Sequence, residues 1–396
     1  MTERFGTEAS REVIRFLEEA GYEAVFVGGA VRDHLLGKPA KDMDIATSAE
    51  PAEVKSVFPI TVDIGTDHGT VLVMMNGEPI ETTTYRTEGT YTDHRRPDDV
   101  QFVKSLKEDL RRRDFTMNAL AMTLDGELID LFGGKTDMDN RLIRAVGNAA
   151  DRFNEDALRM FRAVRFAAVL GFDIEEKTFE AIRDNADQIR YISVERLKAE
   201  IDKLFAGNDP AKALMAIQKT GLNSHLPLFP KETEVLCLTA PYETAIEGWA
   251  CFMIAGEFSA ADIGRAYKLS NVEKSFLSAV IEAYATRNKN HFTIEDYYRY
   301  DLDVLMTAEK LFRTNHSTRE TVSTAEMKRL KQSLPIQSAA DLAVDGRKLM
   351  EWTGQSGGRW IGEWIGKIEK AVLHDTCKNV TNDIKEWFLY EFNREK

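Results

Sequence analysis

The chain has 396 residues, 43% hydrophobic and 30% charged, with a formal net charge of −13. That length predicts several structural units rather than one core, and the acidic balance excludes a protein that coats nucleic acid indiscriminately. No apolar run approaches a membrane span, MTERFGTEAS lacks a signal-peptide pattern, and Cys237, Cys251 and Cys377 lack zinc-ligand spacing, so a reduced, cytoplasmic setting is expected.

In chain order, Thr7–Ala20 carries apolar Val13, Phe16 and Leu17 at helical spacing. Short β-rich runs follow at Ala24–Val27, Met43–Thr47, Thr70–Met75, Pro79–Tyr85 and Val100–Val103, so the first 150 residues read as mixed α/β. From Phe26 to Ala46 the chain reads FVGGAVRDHLLGKPAKDMDIA. Gly28-Gly29 permits a sharp turn and a close backbone approach to a ligand, and Arg32 offers a planar fork suited to phosphate oxygens. Asp42 and Asp44 flank Met43; on a strand both carboxylates share a face. Two acids so placed repel unless a cation such as phosphate-bound Mg²⁺ lies between them. Each feature alone is commonplace, but their order and compact spacing point to a metal-dependent nucleotidyltransferase.

Glu81, in the β-branched run IETTTYR, is expected to pair beside the Asp42/Asp44 strand, as a third carboxylate or as the cross-strand partner of a cation. The polar segment Thr87–Asp99, with EGTYTDHRRPDD, reads as a loop able to move over an active site or as a plain surface loop. RRRDFTMNALA (Arg111–Ala121) is expected to start basic and become an amphipathic helix capped by Asp114–Asn118, with Arg113 projecting toward substrate. Gly133-Gly134 reads as a turn, either a hinge or an ordinary β-turn.

Beyond Asp151 helical periodicity dominates, and the best boundary lies near Gly147–Phe153, with weaker punctuation at Pro227–Pro230 and Ser333–Pro335. In NEDALRMFRAVRFAA (Asn154–Ala168), Asp156, Arg159, Arg162 and Arg165 recur every third residue along one side of a predicted helix, opposite Leu158, Phe161, Val164 and Ala168. Taken alone, such a row is a solvated face. Beside the first motif it acquires a chemical reading. Cytosine and adenine both present an exocyclic amino donor next to an unprotonated ring nitrogen, whereas uracil and guanine present a carbonyl next to an N–H. An Asp acceptor beside an Arg donor therefore matches C and A, and a mismatch in a dry site costs about 1–3 kcal/mol.

These motifs resemble those of the class II CCA-adding enzymes, tRNA nucleotidyltransferases of the polymerase β superfamily. GGAVRDHLLGKPAKDMDIAT is similar to their first motif, RRRDFTMNALA to the second, DLFGGKTDMDN to the connector, EDALRMFRAVRFAA to the nucleotide-selecting motif and ISVERLKAEI to a later neck helix. The likeness covers most of residues 20–205 in the family's order, and AVDGRKLMEWTGQSGGRWIGEWIGKIEKAV is similar to the tail of bacterial members. It implies a seahorse-like architecture: an α/β nucleotidyltransferase head with a mixed sheet over 1–150, then a largely α-helical neck (151–228), body (229–334) and tail (335–396). Asp42 and Asp44 are implied as ligands of two Mg²⁺ ions, with Glu81 as a third catalytic acid. Gly28, Gly29 and Arg32 are implied for the triphosphate, and Arg113, Asp156, Arg159, Arg162 and Arg165 for the nucleotide pocket. The implied reaction adds C, C and A to the 3′ end of tRNA from CTP and ATP, without a nucleic-acid template, and releases pyrophosphate. Body and tail are implied to hold the acceptor arm and elbow of tRNA, and the loop at Thr87–Asp99 resembles the element implicated in switching from CTP to ATP. Two other readings follow from the same sequence: a partial adder or poly(A) polymerase of the same fold, and a tRNA-binding protein without chemistry, against which Asp42, Asp44 and Arg113 argue. His374-Asp375 lacks the further histidines that a phosphohydrolase unit requires.

Overall fold

The computed structural model describes residues 5–40, 42–65, 69–88, 100–231, 233–316 and 320–395. Two compact units emerge, Met1–Gly248 with Ala266–Lys268, and Trp249–Arg265 with Leu269–Lys396.

The first unit opens with α1 (Glu8–Glu19), whose first turn is capped by the Thr7 hydroxyl accepting from the Ser10 amide and whose Val13, Ile14 and Leu17 are buried. There follow β1 (Ala24–Val27), α2 (Gly29–Leu35), β2 (Asp44–Thr47), α3 (Pro51–Val57), β3 (Thr61–Gly65), β4 (Thr70–Met75) and β5 (Glu78–Thr84). After β6 (Arg86–Glu88) and β7 (Val100–Phe102), which pair with each other, come α4 (Leu106–Arg111), β8 (Leu120–Met122) and β9 (Leu128–Asp130). The main sheet runs β3-β4-β5-β2-β1-β8-β9. Its β2–β5 pairing is parallel and its others antiparallel, which makes it mixed. All four residues of central β1 are buried, whereas β5 alternates, with Ile80, Thr82 and Thr84 buried and Glu81 exposed. Parallel register sets Asp44 directly opposite Glu81.

Two expectations about local structure are corrected. Asp42 lies in a bend before β2, so only Asp44 of the acidic pair is on a strand. RRRDFTMNALA is not an amphipathic helix: α4 ends at Arg111, Thr116–Asn118 form a single 3₁₀ turn, and Leu120–Met122 pair with β1 at the sheet centre. The apolar residues that suggested a helix face fill the sheet core instead. Gly133-Gly134 starts α5 (Gly134–Asp139), and a Cβ on Gly134 would lie 2.2 Å from the Thr116 carbonyl oxygen, so glycine lets α5 rest on that turn. Of the loop Thr87–Asp99, residues 89–99 fall outside the described residues.

The helical part of this unit includes α6 (Ala149–Glu155), α7 (Leu158–Leu170), α8 (Glu176–Asp184), α9 (Val194–Phe205) and α10 (Pro210–Thr220). The predicted helix over Asn154–Ala168 breaks at Asp156, which is extended (φ −142°, ψ 103°) and separates α6 from α7. α7 packs against α9 and α10, and on its arginine side Arg159 and Arg165 are buried as well, with Arg162 half-buried.

In the second unit, the helices Asn271–Lys289 and Leu302–Asn315 enclose an ion pair between Arg287 and Glu309, both almost fully buried. Arg287 also donates to the Glu320 carbonyl (2.6 Å), and Glu309 accepts from the Val322 amide (2.9 Å), which satisfies the charges that burial would otherwise penalise. The helices Arg359–Leu373 and Thr381–Arg394 share an aromatic cluster in which Trp364 meets Phe388 edge-on at 5.2 Å.

Candidate active site

A cavity of about 400 Å³ in the first unit is lined by Gly28, Gly29, Arg32, Asp44, Arg113, Asp156, Arg159 and Arg162, together with Arg112, Asp114, Asn118, Leu158, Phe166 and Arg196. The volume suits a small-molecule ligand. Residues from the glycine turn, the acidic strand, the RRRD segment and the arginine helix, dispersed over the sequence, thus face one space. Asp42, Glu81 and Arg165 do not belong to its lining.

The glycine turn leaves β1 at Gly28, where φ is +72°. A Cβ there would lie 3.1 Å from Arg113 Nη1 and 3.6 Å from Asp44 Oδ2, so backbone conformation and crowding both select glycine. The Gly28 amide donates to the Leu120 carbonyl (3.3 Å), so Gly28 offers a ligand space rather than its amide. Arg32 is nearly buried, donating from Nε to Asp33 (2.9 Å) and from Nη1 to Asn118 Oδ1 (2.7 Å). Asn118 Nδ2 donates in turn to Asp114 Oδ1 (2.9 Å), and Arg162 closes on Asp114 Oδ2 from Nε (2.8 Å) and Nη2 (2.6 Å). One carboxylate and one amide therefore hold arginines from α2 and α7 toward the same cavity. Burial alone would raise the Asp114 carboxyl, but Arg162, Asn118 and the Phe115 amide bring it down to about 2.

Arg113 pairs through Nη2 with Asp109 (3.1 Å), a buried carboxylate that also binds Arg112 (2.8 Å). Burial opposes the Asp109 charge, yet the two guanidiniums keep its carboxyl below the usual range. The Asp44 carboxyl is pushed up to about 6, first by burial and then by Glu81, with Asp42 adding to the rise and Arg113 opposing it. The three acids thus form one electrostatic cluster at the cavity's edge. Among the described residues no set of three His, Cys, Asp or Glu side chains is arranged to hold a metal ion by itself. Asp42 and Asp44 nevertheless have the chemistry of a hard divalent site whose remaining ligands would be phosphate oxygens, because a cation relieves the repulsion that raises Asp44.

At the opposite end, Arg159 is held by Glu155 (2.6 Å) and donates to the Arg112 carbonyl (3.1 Å). Asp156 Oδ1 accepts from the amide of Leu158, the first residue of α7 (3.1 Å), and Oδ2 accepts from Arg196 (2.6 Å). Arg165 turns away from the cavity: its Nε donates to buried Glu200 (2.8 Å), and its guanidinium carbon lies 3.5 Å from the Phe166 ring centroid. Its place is that of a brace between α7 and α9 rather than a cavity group.

Sequence reasoning did not single out Asp109, Arg196 or Glu200, and it gave Asn118 only a helix-capping role. Arg196 and Glu200 are four residues apart in ISVERLKAEI, so they share a face of α9. That spacing was the available signal, though which arginines and acids they meet depends on the packing of α7.

The poly A polymerase head domain model matches residues 24–144, the model of a probable RNA and SrmB-binding site of polymerase A matches 171–232, and a putative second domain of tRNA nucleotidyltransferase matches 241–388. A CCA-adding enzyme of Bacillus cytotoxicus is 43% identical over 95% of this chain and 96% of the relative. One from Bacillus cereus strain AH820 is 42% identical over 99% of both. The crystal structure of the Bacillus stearothermophilus CCA-adding enzyme in complex with CTP is 38% identical, with a TM-score of 0.86 over 100% of this chain and 99% of that one. A Thermotoga maritima CCA-adding enzyme complexed with tRNA, 21% identical, shares the fold with a TM-score of 0.69 over 98% of this chain and 97% of its own. With more than two-fifths of its residues matched over almost its whole length, the chain belongs to the CCA-adding enzymes.

Proposed function

We infer that the protein adds C, C and A to the 3′ end of tRNA from CTP and ATP, releasing pyrophosphate at each step. The observation that carries this reading is the single cavity in which Asp44 and the phosphate-suited Arg32 and Arg113 share a wall with the base-suited Asp156 and Arg159. The terminal hydroxyl oxygen of the RNA attacks the α-phosphorus and releases its proton to solvent, the bond from that phosphorus to the bridging oxygen breaks, and pyrophosphate departs with the bond's electron pair. Arg32, Arg113 and Arg162 bind and orient the triphosphate, and their fixed charges favour the negative charge that develops on the leaving oxygens. Asp156 accepts from the exocyclic amine of C or A, and Arg159 donates to the adjacent ring nitrogen.

Asp42 and Asp44 would hold Mg²⁺, with Glu81 reinforcing the local negative charge from the neighbouring strand. When bound, Mg²⁺ supplies charge neutralisation and acidifies the attacking hydroxyl. Glu155 holds Arg159 in place beside the cavity, and because one pocket serves CTP and then ATP, a small rearrangement of the pair Asp156 and Arg159 is required between the steps. Head, neck, body and tail at 1–150, 151–228, 229–334 and 335–396 remain the proposed division of labour, with tRNA on body and tail. A cytoplasmic location follows from the tRNA substrate.

The test is incorporation of labelled CTP and ATP, singly and mixed, into a tRNA lacking its CCA end. Two C residues and one A followed by a stop are expected. Termination after CC, long A runs, or tRNA binding without incorporation would each replace this reading.

A further inference from the structure

Asp156 has an unusual demand placed on it. It is extended and lies between α6 and α7 rather than within either helix. Its carboxylate is nonetheless anchored from two directions: the Leu158 amide takes Oδ1, and Arg196 Nη2 takes Oδ2 at 2.6 Å, from forty residues further along the chain. Arg196 lines the same cavity, and its Nη1 is buried without a hydrogen-bond partner among the described residues. The next turn of α9 presents Glu200, which meets Arg165 at 2.8 Å and Arg162 at 3.8 Å. One face of α9 therefore carries a cation opposite Asp156 and an anion opposite the arginines, a complementary plate against α7.

Competition decides what Arg196 contributes. Asp156 is close enough to Arg162 to favour that arginine's charged form, and Arg159 is only three residues away. Without a dedicated cation on the α9 side, the carboxylate would be drawn onto the arginines that face the substrate. The acceptor and a donor would then satisfy each other instead of a base. With Arg196 in place, Oδ1 and Oδ2 each accept one bond from the protein and retain capacity for another.

We propose that Arg196 is a specificity-determining positioning residue of the nucleotide pocket, holding the Asp156 carboxylate where it accepts from the amino group of cytosine or adenine. Arg196 acts through Asp156, so its removal degrades the choice among bases more than the binding of triphosphate. The planar fork matters as well as the charge, since Nη2 must stay on Oδ2 while Nη1 remains in the buried wall.

The inference rests on the nucleotide-adding function proposed above, and its test separates the two. Full-length wild type, Arg196→Met, Arg196→Lys, Asp156→Asn and the Asp156→Asn/Arg196→Met double variant are compared on tRNA lacking CCA, with kcat and KM measured for CTP, ATP, UTP and GTP and a melting curve for each protein. Arg196→Met is expected to narrow the CTP-over-UTP ratio of kcat/KM about tenfold or more, chiefly by slowing CTP and ATP. Arg196→Lys is expected to recover part of that ratio, and the double variant to discriminate no worse than Asp156→Asn. An unchanged ratio in Arg196→Met, an equal fall for all four nucleotides, or additive losses in the double variant would overturn the proposal. If Arg196→Met does not fold, full wild-type discrimination by a folded Arg196→Lys overturns it. A wild type that adds neither C nor A removes the nucleotide-adding reading itself; a wild type that adds CCA, beside an unaltered Arg196→Met ratio, removes only the role of Arg196.

Discussion

Asp114 joins two of the cavity's arginines, so Asp114→Asn tests whether that junction organises the site. Asn keeps the shape and still accepts from the Phe115 amide, but the charge opposite Arg162 is lost. The folded carboxyl sits at about 2 against 3.8 for an ordinary Asp, a gap of about two units, or about 2.5 kcal/mol. Arg162 would keep Glu200, 3.8 Å away, and the nearby charge of Asp156, and its side chain is about a third exposed, so the expected loss stays at about 2–3 kcal/mol. The sign of the pH dependence follows from the depressed folded value: this stability is fully present above about pH 4 and is lost as pH falls toward about 2. The variant should therefore start less stable at neutral pH and show a shallower acid limb. All five tryptophans lie in the second unit, so tryptophan fluorescence does not report on Asp114. Hydrogen exchange on peptides of Leu158–Leu170 in the full chain does. Kinetically, KM for CTP and ATP should rise together, because Arg162 loses its carboxylate anchor at Oδ2, while the Asn118 bond to Oδ1, and with it the Arg32 contact, is kept. A loss under about 1 kcal/mol with an unchanged acid limb and unchanged KM values would refute the junction.

Other outcomes can be checked with equal directness. Asp42→Ala and Asp44→Asn should each abolish incorporation of both CTP and ATP while filter binding shows tRNA affinity largely intact; substantial activity in either would remove that residue from the proposed metal site. Gly28→Ala places a Cβ 3.1 Å from Arg113 Nη1 on a backbone with φ of +72°, so a cost of about 1–3 kcal/mol is expected. Melting curves and KM for CTP should both move, and a wild-type KM would show that the turn does not approach the ligand. In the second unit, Glu309→Leu strands the buried Arg287 and should cost about 3–5 kcal/mol. Tryptophan fluorescence in denaturant reads that unit, and Arg287→Met/Glu309→Leu should recover most of the loss; a double variant as unstable as the single would refute the pair's role.

The chemistry of the site was largely legible in the chain because it resides in local motifs. Gly28-Gly29, Arg32 and the Asp42/Asp44 pair sit within one strand-turn-helix-strand stretch, where spacing alone brings residues together. The strands at Ala24–Val27 and Thr70–Met75 were legible for the same reason, since β-branched runs bounded by glycine identify themselves. Tertiary structure decided what local pattern could not. Leu120–Met122 has an apolar pattern that suits a helix or a strand, and pairing with β1 selects the strand. The every-third-residue row from Asp156 to Arg165 looked like one helical face, yet the chain breaks at Asp156 and pairs Arg165 with Glu200, outside the lining of the cavity. Sequence determined which charges the protein possesses. Their partners, Arg196 for Asp156 and Asp114 for Arg162, lie 40 and 48 residues away. A buried charge persists only where folding delivers its counterpart, and that delivery is a property of the packed helices.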